Sequence, residues 1–314
     1  MKKLFTYLAV AMLGMAAAAC QKEVGVAEAG KGNVVFTIET PGVSTKAIGD
    51  GENVDIVYYE IYKAENGHKN SVNGGQPLIK GSTKVVGKHA ELTLNLLQDQ
   101  QYVALFWANV HGYGEQYYDV TDLRKVQVKY VTSEAKNAPA NDEERAAFCQ
   151  CHKFSTQKSG VNNQRVELKR PFAQINLGTT KESLNLDYLI TLQKSNMVIA
   201  GAASEFNVYT MTAAADVAHV EYAFNAVPDQ YLTVGDREYA YAGMNYILVP
   251  SNQSTVKLTY DIMTDVGTVN RTVIDVPVQM NFRTNLLGNL LTQETRIVIV
   301  VDNDFLGDRN VDVE

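Results

Sequence analysis

The run Val256-Lys257-Leu258-Thr259-Tyr260-Asp261-Ile262, followed after Thr264-Asp265-Val266-Gly267 by Thr272-Val273-Ile274-Asp275-Val276-Pro277-Val278, decides the fold class. Val256, Leu258, Tyr260 and Ile262 recur with a period of two, as do Thr272, Ile274, Val276 and Val278, which is the spacing of strands with one buried face. The short Gly-containing connection between them predicts a hairpin. The same period appears at Leu92, Leu94 and Leu96, at Val126, Val128 and Tyr130, and at Ala173, Ile175 and Leu177. Other runs are apolar nearly throughout and read as central strands: Val34 to Ile38, Ile56 to Tyr62, Val103 to Val110, Tyr246 to Val249 and Ile297 to Val301. Many short strands separated by Gly, Asn and Pro turns predict an all-β chain built of β-sandwiches rather than a βα alternation.

Only one segment carries a helix signal. Asn141 is a candidate N-cap with Glu144 three residues on, and Asp142 and Glu143 suit a helix amino end. Thr284 to Thr292, with its paired leucines, reads equally as a helical turn or a loop. A polar Lys-Ser-Gly-Val-Asn-Asn run before a fresh strand sets a domain boundary near Asn162 to Arg165. This divides the body into an N-terminal sandwich, 33–163, and a C-terminal sandwich, 164–314. No internal repeat with a period of 20–50 residues is visible.

Composition narrows the function. The 314 residues hold 28 Lys plus Arg against 35 Asp plus Glu, a net charge of −7. That balance excludes a nucleic-acid binder driven by phosphate neutralisation. Hydrophobic residues make up 46%, enough for a folded chain, and the 17 Tyr favour strands.

The amino terminus reads as a signal peptide, residues 1–19. Lys2 and Lys3 form a positive start, and Leu4 to Ala19 is apolar or small, shorter than the ~20 residues of a spanning helix. Ala17-Ala18-Ala19-Cys20 resembles a lipobox, which makes Cys20 the candidate lipidation site; the bland alternative is a secretory signal cut at an Ala-x-Ala site. Two or more acyl chains anchor a protein stably where one does not, so a lipidated Cys20 implies a permanent membrane partner. Gln21-Lys22-Glu23 resembles the surface-export signal of Bacteroidota lipoproteins and implies an outer-membrane protein facing the exterior. Residues 20–32 read as a tether.

Cys149, Cys151 and His152 form C-x-C-H, one ligand short of a structural zinc site. No metal or cofactor is therefore expected, and the two cysteines read as plain thiols or as a strained local disulfide. There is no G-x-S-x-G, G-x-x-x-x-G-K-[ST], H-E-x-x-H or G-x-G-x-x-G, so no enzyme is expected.

Several runs together carry a family resemblance: Ser44-Thr45-Lys46-Ala47, Phe106-Trp107, Tyr117-Tyr118-Asp119, Arg170-Pro171-Phe172-Ala173-Gln174-Ile175-Asn176-Leu177-Gly178, and Val276-Pro277-Val278 with Asn281-Phe282-Arg283-Thr284-Asn285. With the lipobox, they resemble the fimbrillin-like lipoproteins of the Bacteroidales, in a branch with an uncharacterised domain. The resemblance implies two tandem transthyretin-like sandwiches of the Ig-like Greek-key kind and a role in a type V pilus, as subunit or anchor. It implies trimming after the first strand, with Lys46 and Ala47 as the candidate scissile pair, and loss of Val34 to Ile38. The groove so opened is filled by a strand of the next subunit. The candidate donor is Ile297, Val298, Ile299, Val300 and Val301, or Asn310 to Glu314. The alternative is a non-polymerising surface lipoprotein that binds host or dietary glycans or peptides, with Tyr113, Tyr117 and Tyr118 as stacking surfaces where exposed, although edge or core packing is the commoner use of tyrosine.

Overall fold

Strand pairing follows the alternation of buried and exposed residues, and it organises the chain into two sheet pairs. The computed structural model describes residues 30–41, 48, 51–64, 72, 75–131, 134–181, 184, 189–214, 218–291 and 297–302. Cys20, Lys46, Ala47 and the stretch 310–314 lie outside the described residues, as does the side chain of Tyr113.

In the first pair, β1 (Lys31–Glu39) lies between β4 (His89–Leu97), antiparallel, and β9 (Asn162–Glu167), parallel. The facing sheet runs β3 (Ile79–Lys84), β2 (Ile56–Ala64), β5 (Gln101–Asn109), β8 (Ala147–Ser155), all antiparallel. Val34, Phe36 and Ile38 from one sheet and Val57, Ile61, Ala104 and Phe106 from the other share one buried core. Phe36 meets Phe106 edge-on at 5.5 Å and Phe154 at 5.2 Å between ring centres.

The second pair repeats this plan. β10 (Phe172–Thr180) lies between β17 (Arg237–Leu248), antiparallel, and β20 (Arg283–Gly288), parallel. The facing sheet runs β14 (Ala218–Glu221), β11 (Leu192–Ala202), β18 (Gln253–Thr264), β19 (Gly267–Gln279), with β15 (Asn225–Ala226) beside β11. Matched in chain order, β1, β2, β3, β4, β5, β8 and β9 correspond to β10, β11, β14, β17, β18, β19 and β20. Every pairing within one set has its counterpart in the other, in the same sense. The repeat is far longer than the periods a sequence scan tests. Two strands of the first sheet fall outside the repeated set: β16 (Tyr231–Val234) on β17, and β21 (Val298–Asp302) on β20.

A small sheet stitches the two sandwiches together. It runs β13 (Thr212–Ala213), β12 (Glu205–Asn207), β7 (Val126–Val128), β6 (Tyr118–Asp119), so a β11–β14 excursion pairs with the long β5–β8 connection. Both faces of β5 are consequently buried: Ala104 and Phe106 in the first core, Val103, Leu105 and Trp107 in the core that continues into the second sandwich.

The structure corrects several readings. The boundary placed at 162–165 falls inside β9, which pairs with β1; the polar run before it is the β8–β9 turn, and the chain crosses at Leu168 to Pro171. The N-cap is Asp142, whose side chain accepts from the Glu144 amide at 3.1 Å, and it starts only one 3-10 turn, Glu143–Arg145. Thr284 to Gly288 belong to β20, neither a helical turn nor a loop. The β18–β19 hairpin forms as the alternation predicts, but Val256 pairs with Val276 and Leu258 with Val273. The bulge this requires, with Asp275 at φ 56°, turns Ile274 out to solvent.

Candidate functional site

The two motif runs carrying the resemblance come together across one parallel strand pair. Gln174 stands opposite Arg283 and Asn176 opposite Asn285. Gln174 Nε2 donates to Asn176 Oδ1 at 2.9 Å and Asn176 Nδ2 to Asn285 Oδ1 at 2.7 Å, a buried amide ladder that fixes the β10–β20 register. Asn281, at φ 65°, accepts from the Arg170 amide through Oδ1 and donates its own amide to the Phe172 carbonyl. Arg283 Nη2 donates to the carbonyl of buried Ile48, in the β1–β2 connection. The motifs therefore close the second sandwich and fasten it to the first.

Two buried arginines complete the joint. Arg170 stacks over Phe148 at 4.5 Å and Tyr246 at 4.8 Å from the ring centres, one ring from each sandwich. Arg145 is enclosed by Tyr117 at 4.8 Å, Tyr222 at 5.2 Å and Tyr130 at 5.6 Å. Burial pushes the Tyr222 phenol up to about 12 and that of Tyr130 higher still, so neutral rings meet the cation. Asn141 reaches across as well: its Oδ1 accepts from the Met244 amide at 2.7 Å, and Nδ2 donates to Ser195 Oγ at 3.0 Å. None of these roles has a local sequence signal. The excess of tyrosine is the one compositional trace of the cages.

The candidate binding surface on Tyr117 and Tyr118 is not there: both are buried, Tyr118 against Trp107 at 5.3 Å, and Tyr117 Oη donates to Asp142 Oδ2 at 2.9 Å. They face the joint, which is the core use of tyrosine. Cys149 and Cys151 are free thiols on β8, both directed toward the joint-side core; burial holds the Cys149 thiol well above its ordinary value and pushes Cys151 up to about 11. His152 Nε2 lies 2.9 Å from Gln164 Oε1. The buried carboxylate of Glu60 accepts from Tyr62 Oη at 2.7 Å, Lys80 Nζ at 2.9 Å and the Leu123 amide at 3.3 Å, which is a structural use. Among the described residues no cluster of three or more His, Cys, Asp or Glu is placed to hold a metal, and no helix is long and apolar enough to cross a membrane.

The strands named as lost and donated occupy contrasting positions. β1 is the centre of its sheet, with Val34, Phe36 and Ile38 wholly buried. The segment Ile297 to Val301 provides β21, which pairs antiparallel with β20 alone, at the end of its sheet. A groove of about 410 Å³ lies beside the far end of the second sandwich, between Ile190 to Gln193, Val227 to Tyr231 and Tyr241.

Residues 26–314 match a family described as one of unknown function, DUF6562. The chain belongs to that family. No curated protein matches this DUF6562 member. Among solved structures it is similar to a candidate adhesin from Bacteroides thetaiotaomicron (TM-score 0.53, 13% identity, 89% of this chain and 98% of that one). It is similar also to a candidate cell adhesion protein from Bacteroides ovatus (0.51, 10%, 88% and 98%). A fimbrial assembly protein from Parabacteroides distasonis matches at 0.44, with 12% identity over 87% and 96% of the chains. The first two establish a shared all-β sandwich fold.

Proposed function

We propose that this DUF6562 member is a non-enzymatic, lipid-anchored protein of the bacterial surface, a subunit or anchor of an adhesive fimbria that joins its neighbours by β-strand donation. The names borne by its structural relatives support the adhesive class. The observation that carries the finer reading is the position of β21 outside the repeated strand set. Its removal leaves in the second sandwich every strand that suffices for the first. Removal of β1 instead opens a groove between β4 and β9, lined by the core that Val34, Phe36 and Ile38 now fill. A donated strand would supply ladder hydrogen bonds and alternating apolar side chains there. Buried Ile48, two residues past Lys46, would keep the trimmed end beside Arg283.

The test is the native amino-terminal peptide, read by mass spectrometry from sheared surface material and from outer membrane. A start at Ala47 in the sheared fraction supports trimming and donation. An acylated Cys20 in the membrane with no Ala47 start in either fraction reduces the reading to a permanent anchor.

A further inference from the structure

We propose that the free pole of the second sandwich docks end-on against the opposite pole of the first sandwich in another copy of this chain. The inference rests on the assembly reading above but needs no exchanged strand.

The internal repeat supplies the template. In the first sandwich, one pole is formed where β1 and β5 end and β2 and β4 begin, since Glu39 pairs with His89 and Ile56 with Asn109. The connections leaving this pole carry Ile48, Tyr117, Tyr118, Asn141 and Arg145, and they pack on the second sandwich. The corresponding pole of the second sandwich is where β10 and β18 end and β11 and β17 begin, since Thr180 pairs with Tyr239 and Leu192 with Thr264. It lies at the other end from Phe172 and Ala203, which meet the first sandwich, and no further domain follows it among the described residues.

Among the described residues this pole presents large exposed apolar side chains beside the charged Asp236, Arg237 and Glu238 of the β16–β17 turn. Leu189 is 83% exposed, Val266 66% and Tyr231 59%. Thr191 and Asp265 exchange hydrogen bonds, the Thr191 amide to Asp265 Oδ1 at 2.8 Å and the Asp265 amide to the Thr191 carbonyl at 3.2 Å. That exchange places the hairpin tip bearing Val266 beside the groove wall at Ile190 and Leu192. The matching surface is at the pole where β1 begins. There Leu97, opposite Lys31, is 46% exposed, and Val161, just before β9, is 55% exposed. Two different surfaces of one molecule make a heterologous contact, and such a contact extends as an open filament unless its rotation closes a ring. Gly30 is at this second pole, because the Gln98 amide donates to the Gly30 carbonyl. A copy held by its lipid therefore offers only the free pole, as a base for growth.

The experiment uses the complete mature chain with Cys20→Ser, which leaves both poles clear of lipid. Sedimentation velocity over a concentration series reads association, with circular dichroism and the melting temperature as fold controls. The expected result is an open-ended, SDS-dissociable series. Val266→Asp at one pole and Leu97→Asp at the other each weaken it at least ~10-fold, and Tyr231→Asp and Val161→Asp repeat these effects at second positions. Mixing the Val266→Asp and Leu97→Asp chains restores one intact contact and stops at a 1:1 pair. A chain that stays monomeric throughout, or forms one symmetric dimer, overturns the proposal. So does a monomer that binds glycans through a Tyr231-dependent groove. An SDS-resistant ladder unaffected by all four variants also overturns it, while leaving strand donation intact.

Discussion

The guanidinium of Arg145, from the first sandwich's long connection, lies 5.2 Å from the ring centre of Tyr222 in the second sandwich. A buried cation held by rings owes its stability to their quadrupoles and to tight packing rather than to a carboxylate partner. Arg145→Ala is expected to lower unfolding stability by about 3 kcal/mol, through a cavity and the lost cation–ring attraction. Arg145→Met fills the space without charge and should cost clearly less. Equilibrium urea unfolding checks both, and equal losses would show that the cation–ring attraction matters rather than the filled volume.

Phe36 on β1 is a second sensitive point. It meets Phe106, Phe154 and His152 inside the first core. Phe36→Ala is expected to cost about 3–5 kcal/mol, against less than ~0.5 kcal/mol for Thr37→Ser on the opposite face. The same denaturation assay separates them.

Thiol chemistry gives a pH signature. Both cysteines have thiols raised by burial, Cys151 to about 11. In the folded chain neither should react with iodoacetamide at pH 8, and both should react in urea. An acid that holds its proton more tightly when folded destabilises the fold as pH rises through its unfolded value. Stability should therefore fall from about pH 8.5 upward, and a Cys149→Ala, Cys151→Ala chain should flatten that slope.

Gly51 has φ +70°, and a Cβ there would lie 2.4 Å from the Phe148 ring. Gly51→Ala combines left-handed strain with a ring clash and should lower the melting temperature by several degrees. Gly87, also left-handed but with open space around its Cβ position, should show only the milder backbone cost.

Truncation distinguishes the two special strands. Ending the chain after Leu291 removes β21 and the half-buried Ile299, and should leave a cooperative, less stable fold. A chain begun at Ile48 lacks β1 and should expose its core unless a strand peptide is added. Dye binding and circular dichroism read both outcomes.

The strands were legible because burial alternates with their pleat. Leu92, Leu94 and Leu96 are all buried, and the nearly all-apolar Val103 to Val110 is covered on both faces. Where register shifts, as at Asp275, the pattern still reads as a strand but assigns Ile274 to the wrong face. Arg145 and Arg170 were illegible because a charged residue reads as solvated unless its ring partners, distant in sequence, are known. The repeat was illegible for a related reason: equivalent strands need the same neighbours and the same buried face, not the same residues. Asn162 to Arg165 misled because a polar, turn-like run can be the start of a strand whose exposed side chains are polar. Cys20, Lys46 and Ala47 rest on their sequence context alone.

Each sandwich closes by laying its first strand parallel to the last strand of the repeated set: Val34 beside Asn162, Gln174 beside Arg283. Contacts so distant along the chain must overcome a large loop-closure entropy, so folding belongs to the slow, high-contact-order regime of milliseconds to seconds. Until β9 is available, the chain that precedes it lacks one neighbour of β1, and until β20 is available β10 is in the same position. Each sandwich therefore locks only once its own closing strand, β9 or β20, has been made.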